Sequence, residues 1–111
     1  MNDQQPRASD IPEPGTFKCR MVRGGPWVGA CVHVTDTGMW AVDVNGKPAG
    51  TNADPWQIEW MQTRYFYALR ITAEEYAYLI SIAAWAEAND PNHPAANPTK
   101  PIELRAQKPL F

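Results

Sequence analysis

The sequence predicts an α+β domain, with a small antiparallel sheet of three to four strands packed on one long apolar helix and a proline-rich C-terminal tail wrapped on the body. Three observations carry that expectation. Residues 16–51 hold short β-branched and aromatic runs separated by glycine-containing breaks, the signature of successive hairpins. Residues 71–90 form one continuous helical pattern, opened by a capping signal and closed by a proline. Pro91, Pro94, Pro98, Pro101 and Pro109 then crowd the end of the chain, where they forbid helix or sheet interior.

Length and composition bound the rest. A chain of 111 residues has material for one core and not two. Hydrophobic residues make up 44% and charged residues 20%, a globular balance. A net charge of -2 argues against the broad positive field that holds nucleic acid non-specifically, and leaves room only for a local basic patch. No apolar run approaches the roughly 20 residues of a membrane span. The opening MNDQQPRASDIPEPG also lacks the apolar stretch of a secretory signal, so an intracellular protein is expected.

Taken in order, residues 1–15 carry Pro6, Pro12 and Pro14 among polar side chains and read as a flexible arm. The folded domain is expected over residues 16–90. Its first hairpin joins residues 16–23 (TFKCRMVR) to residues 27–35 (WVGACVHVT) through Gly24-Gly25-Pro26. Pro26 keeps Gly25 out of helix, so no helix starts there as a phosphate loop requires, and the remaining glycines and Lys-Ser/Thr pair of such loops are missing. A three-residue loop places Arg23 opposite Trp27, Met21 opposite Gly29, Cys19 opposite Cys31 and Phe17 opposite His33. One face then carries Lys18, Arg20, Val22, Val28, Ala30, Val32 and Val34, and the other Phe17, Cys19, Met21, Trp27, Cys31 and His33.

Asp36-Thr37-Gly38 breaks the chain before residues 39–44 (MWAVDV), which add Trp40, Val42 and Val44 to the valine face, the expected core. Asn45-Gly46 is a strong hairpin signal. It leads into residues 47–51, an edge strand that tolerates Pro48. Asp54-Pro55 caps a short helix over residues 56–61, while residues 65–69 (YFYAL) read nearly as well as a fifth strand. In the long helix, Thr72 with Glu75 forms a capping box, Ile71 with Tyr76 a hydrophobic staple, and Asp90-Pro91 a stop. Between residues 77 and 86 only Ser81 is polar. Such a helix wants cover on most sides, whether from a second copy in a homodimer or from a partner protein. The tail over residues 91–111 is expected to dock through Ile102, Leu104, Leu110 and Phe111.

Three groups of residues bear on chemistry. Cys19, Cys31, His33 and Asp43 gather in one corner of the expected sheet, but without the paired cysteines of a tight turn they read as buried thiols, and no metal or cofactor is expected. His33, His93, Asp43, Glu59, Glu74 and Glu75 include candidate acids and bases. The two helix-start glutamates are already accounted for by the helix dipole, and with no nucleophile motif present an enzyme is not expected. The third group is aromatic and basic. Arg23, Trp27, Trp56, Trp60, Arg64 and Tyr65 form the candidate interaction surface, of the kind that protein interfaces favour and that single-stranded nucleic acid also uses.

GTFKCRMVRGGPWVGACV, ITAEEYAYLISIAAWAEAND and HPAANPTKPIEL, in that order, resemble a family of small proteins encoded by temperate bacteriophages and prophages. The resemblance spans most of residues 14–111, is weakest across residues 45–65, and brings no assigned catalytic or binding residues. It implies a bacterial cytoplasm and a phage accessory protein that binds a host or phage protein, in host takeover or counter-defence. A nucleic-acid-binding accessory of phage replication or recombination is the alternative.

Overall fold

The first strand ends at Arg20, three residues earlier than a Gly-Gly-Pro loop would have it, and that difference decides which side chains share a face. The structure is a computed structural model describing residues 12–99. Strands β1 (Gly15–Arg20), β2 (Trp27–Val34), β3 (Trp40–Val44), β4 (Lys47–Asn52) and β5 (Leu69–Arg70) form one antiparallel sheet in the order β4-β3-β2-β1-β5. Helix α1 (Glu59–Arg64) lies between β4 and β5, and α2 (Ala73–Asn89) follows β5. The fold class is α+β, with a short fifth strand beyond the three or four expected.

The β1–β2 register pairs Arg20 with Trp27, Cys19 with Val28, Phe17 with Ala30 and Thr16 with Cys31. Residues 21–26 make a six-residue connection, closed by the Gly25 N–H donating to Val22 O at 3.0 Å and by Arg20 Nε donating to Gly25 O at 2.9 Å. A slip of three residues is odd, so it exchanges the two faces of β1. The physical reason is burial. The three-residue loop would put Lys18 and Arg20 among the valines, an expensive place for unpaired charge, whereas the observed loop puts Phe17 and Cys19 there, at 0% and 2% exposure.

The sheet is covered on both sides. Phe17, Cys19, Ala30, Val32 and Val42 pack against Ile58, Trp60, Met61, Tyr65 and Ala68, so the main core lies between the sheet and the segment around α1. That segment combines both expected readings: Asp54 caps a 3-10 turn at Pro55–Gln57, α1 follows, and the strand is reduced to Leu69–Arg70 after a second 3-10 turn at Tyr65–Tyr67. Helix α2 covers the other face. A Cβ added at Gly29 would stand 3.1 Å from Tyr76 Cδ1 and 3.5 Å from Leu79 Cβ, which puts the helix directly over β2.

Local signals explain the remaining turns and caps. Asn45 and Gly46 both adopt positive φ, 56° and 79°, as the β3–β4 hairpin requires. Thr72 Oγ1 accepts from the Glu75 N–H at 3.1 Å, but the Glu75 carboxylate reaches Lys18 Nζ at 2.7 Å on β1 instead of completing the capping box. Lys47 on β4 pairs with Glu87 at 3.0 Å, so both ends of α2 are tied to the sheet. Beyond the helix, Pro94–Ala96 form a 3-10 turn, and the His93 ring meets Trp85 edge-on. The expected anchors Ile102, Leu104, Leu110 and Phe111, and the arm up to residue 11, lie outside the described residues.

Cys19 and Cys31 are on opposite faces of the sheet, both free, Cys19 buried and Cys31 half-buried. A mild oxidant is therefore expected to leave the folded monomer without an internal disulfide. Under alkylation, mass spectrometry should find Cys31 modified first and Cys19 only on unfolding. An internal Cys19–Cys31 bridge formed without unfolding would restore the three-residue loop.

Candidate functional site

The aromatic and basic residues singled out in the sequence separate into an interior set and a surface set. Trp60 and Tyr65 are 4% and 0% exposed, so their rings belong to the core and not to an exposed interaction surface. Tyr65 is the centre of an aromatic cluster, with Phe17 at 5.6 Å, Trp56 at 5.9 Å and Trp60 at 6.5 Å between ring centroids. Its hydroxyl accepts from the Glu13 N–H at 2.8 Å. Trp56 is half-buried and stacks on Phe66 at 5.7 Å, with 8° between planes. The sequence missed this division because α1 turns Trp60 inward, a choice made by packing and invisible in composition.

Arg23, Trp27 and Arg64 remain at the end of the sheet where β1 turns into β2. Trp27 is 36% exposed, and its ring lies under Lys18 Nζ at 4.7 Å and the Arg20 guanidinium at 4.0 Å. These contacts follow from the register, since Arg20 is directly opposite Trp27 and Lys18 is its diagonal neighbour. Arg23 and Arg64 border an open cleft of about 390 Å³ together with Tyr67, which is 78% exposed. Arg20, Arg23 and Arg64 form no ion pair among the described residues, whereas Arg70 pairs with Glu13.

A second surface is the outer side of α2. Tyr76 and Leu79 face the sheet, and Ala83 and Ala86 are buried. Ala77, Tyr78, Ser81, Ala84, Trp85 and Ala88 are exposed, with Tyr78 at 64% and Trp85 at 56%. The helix is thus apolar on its solvent side as well as its buried side. The lack of charge between residues 77 and 86 is the sequence signal for this apolar outer side.

Cys31, His33 and Asp43 share a face, with His33 Nε2 3.4 Å from Asp43 Oδ2, while Cys19 is on the other face. Among the described residues, no three His, Cys, Asp or Glu side chains are arranged to hold a metal ion. Glu75 is committed to Lys18, and His93 Nδ1 accepts from the Ala95 N–H at 3.0 Å.

Burial shifts four acids in one direction. It pushes the Cys19 thiol up, against the pull of the Arg64 charge and the Trp60 indole N–H, and it raises Cys31 with help from the Asp43 carboxylate. The Tyr65 and Tyr76 phenols are raised for the same first reason. Each group is a neutral acid whose folded value exceeds its unfolded one. The stability linked to them is complete below the ordinary values, about 8.5 for a thiol and about 10 for a phenol, and is lost as pH rises through the raised ones. Urea midpoints should therefore hold between about pH 6 and 8 and fall above about pH 9. A midpoint that rises in alkali would contradict this.

Comparison with models of known protein families, with curated proteins and with solved structures finds no match to this chain. Among the described residues, no helix is long and apolar enough to cross a membrane.

Proposed function

We propose that this chain is a phage or prophage accessory protein that acts in the bacterial cytoplasm by binding a host or phage protein through the outer face of α2. The observation that carries the reading is the exposure of Tyr78 and Trp85 on a helix side that holds only alanines and Ser81 between them. Tyrosine and tryptophan bury large areas at little conformational cost, and they dominate the energetics of protein interfaces. Host takeover or counter-defence fits a small binding protein without a nucleophile motif.

The test uses immobilised full-length protein and host lysate, with and without nuclease, beside the double variant Tyr78→Asp/Trp85→Asp. A specific protein captured despite nuclease and lost with the variant is expected. Light scattering of the free chain identifies the case in which the partner is a second copy, because the variant then changes dimer to monomer. Capture that is nuclease-sensitive or indifferent to both substitutions would contradict the reading. The alternative, a nucleic-acid-binding accessory protein of phage replication or recombination, is favoured by a separate observation: Arg20, Arg23 and Arg64 at the loop end of the sheet form no ion pair among the described residues.

A further inference from the structure

The cleft beside Arg23 and Arg64 does not end there. It continues into a second hollow of about 370 Å³, and the two share Met21, Thr63 and Arg64, so they form one groove across the end of the core. Trp60, itself 4% exposed, borders the second hollow. Its indole N–H is directed at the Cys19 thiol, whereas Arg64 Nε is buried without a hydrogen-bond partner among the described residues. Guanidinium and indole nitrogens are donors only, and a buried donor left unmade is costly. Arg23 and Arg64 line the cleft with groups that only donate, so an occupant must bring acceptors.

The groove also separates its charges. Arg23 stands at the loop end, with Gly24 beside it in a positive-φ conformation, 73°. Arg20 borders this end too, although its guanidinium lies over Trp27. Glu59 borders the far hollow, so an anion is favoured at the Arg23–Arg64 end and not beyond it. Tyr67 stands at that same end with most of its ring in solvent.

We infer that the groove binds single-stranded nucleic acid, with a backbone phosphate held between Arg23 and Arg64 and the adjoining base stacked on Tyr67. The inference rests on the nucleic-acid reading above and assigns it a place. Phosphate fits because guanidinium forks match its oxygens two at a time. A flat exposed ring next to the phosphate position suits a base and is not required by an acidic peptide, and a continuous groove suits a polymer. With the chain at a net charge of -2, attraction must come from this local pair and not from an overall field.

The experiment measures fluorescence anisotropy of a labelled oligothymidine of about 12 nucleotides with the full chain across a salt series. Arg23→Met and Arg64→Met should each weaken binding about tenfold and each reduce the slope of log affinity against log salt by about 0.7, the value of one phosphate contact on a single strand. Tyr67→Ala should weaken binding about tenfold with the slope unchanged. Arg70→Met, whose guanidinium belongs to Glu13, is the control and should leave both unchanged. Absence of any oligonucleotide binding by the unaltered chain overturns the nucleic-acid reading and the inference together. Binding that survives the Arg23→Met/Arg64→Met double variant with the same slope overturns the inference alone. Displacement of the oligonucleotide by polyglutamate at equal charge concentration would assign the groove to acidic protein segments instead.

Discussion

Tyr65→Ala is expected to destabilise the domain by about 3 to 5 kcal/mol, the range for removing a large buried aromatic side chain. Tyr65 is fully buried at the meeting point of Phe17, Trp56 and Trp60, so its loss opens a hole bordered by three rings that cannot collapse together. A small domain has only about 5 to 15 kcal/mol in total. The melting temperature should drop by roughly 15 to 30 °C, and the variant should be marginal at growth temperature. Tyr65→Phe keeps the rings in contact and deprives the Glu13 N–H of its acceptor, for an expected loss of about 1 kcal/mol. Thermal and urea unfolding of the two variants measure both. A loss under about 1 kcal/mol for the alanine variant would mean that the segment carrying α1 does not pack on the sheet as described.

Gly29→Val distinguishes two arrangements by the sign of its effect. Glycine inside a strand is weakening in itself, and valine is a good strand former, so on an uncovered sheet face this substitution should stabilise. In this protein the new Cβ would stand 3.1 Å from Tyr76 Cδ1, with the valine methyl groups reaching further toward α2. Overpacking of that kind costs about 1 to 3 kcal/mol. Destabilisation measured by urea unfolding is therefore expected, and relief by the second substitution Tyr76→Ala should accompany it. A stabilised Gly29→Val would place α2 away from β2.

Much of this fold is legible in the sequence because its signals are local. Thr72, Asp90-Pro91 and Asn45-Gly46 fix a helix start, a helix stop and a hairpin through backbone geometry that needs no partner. The β1–β2 register is different. Gly24-Gly25-Pro26 marks a turn but not its length, and the loop gains three residues because Phe17 and Cys19, not Lys18 and Arg20, belong with the valines. A stricter accounting of which β1 side chains bear charge would have found it. The division of the aromatics was not legible at all. Trp60 and Tyr65 are interior while Tyr67, Tyr78 and Trp85 are exposed, and only the packing of α1 and α2 on opposite sheet faces distinguishes them.

The register also sets the surface around Trp27 and the arginine cleft. With β1 ending at Arg20, Lys18 and Arg20 come to lie over Trp27, and the six-residue connection brings Arg23 to the cleft that Arg64 borders. With the three-residue loop, Arg23 would instead be a strand residue opposite Trp27, and no such cleft would form. The interior and the candidate site thus follow from one pairing.

Cross-strand nuclear Overhauser contacts in the unaltered protein measure that pairing directly. The structure predicts backbone contacts joining Phe17 to Ala30, Cys19 to Val28 and Thr16 to Cys31. Contacts joining Cys19 to Cys31 and Phe17 to His33 would contradict it, and with it the core and the arginine cleft built upon it.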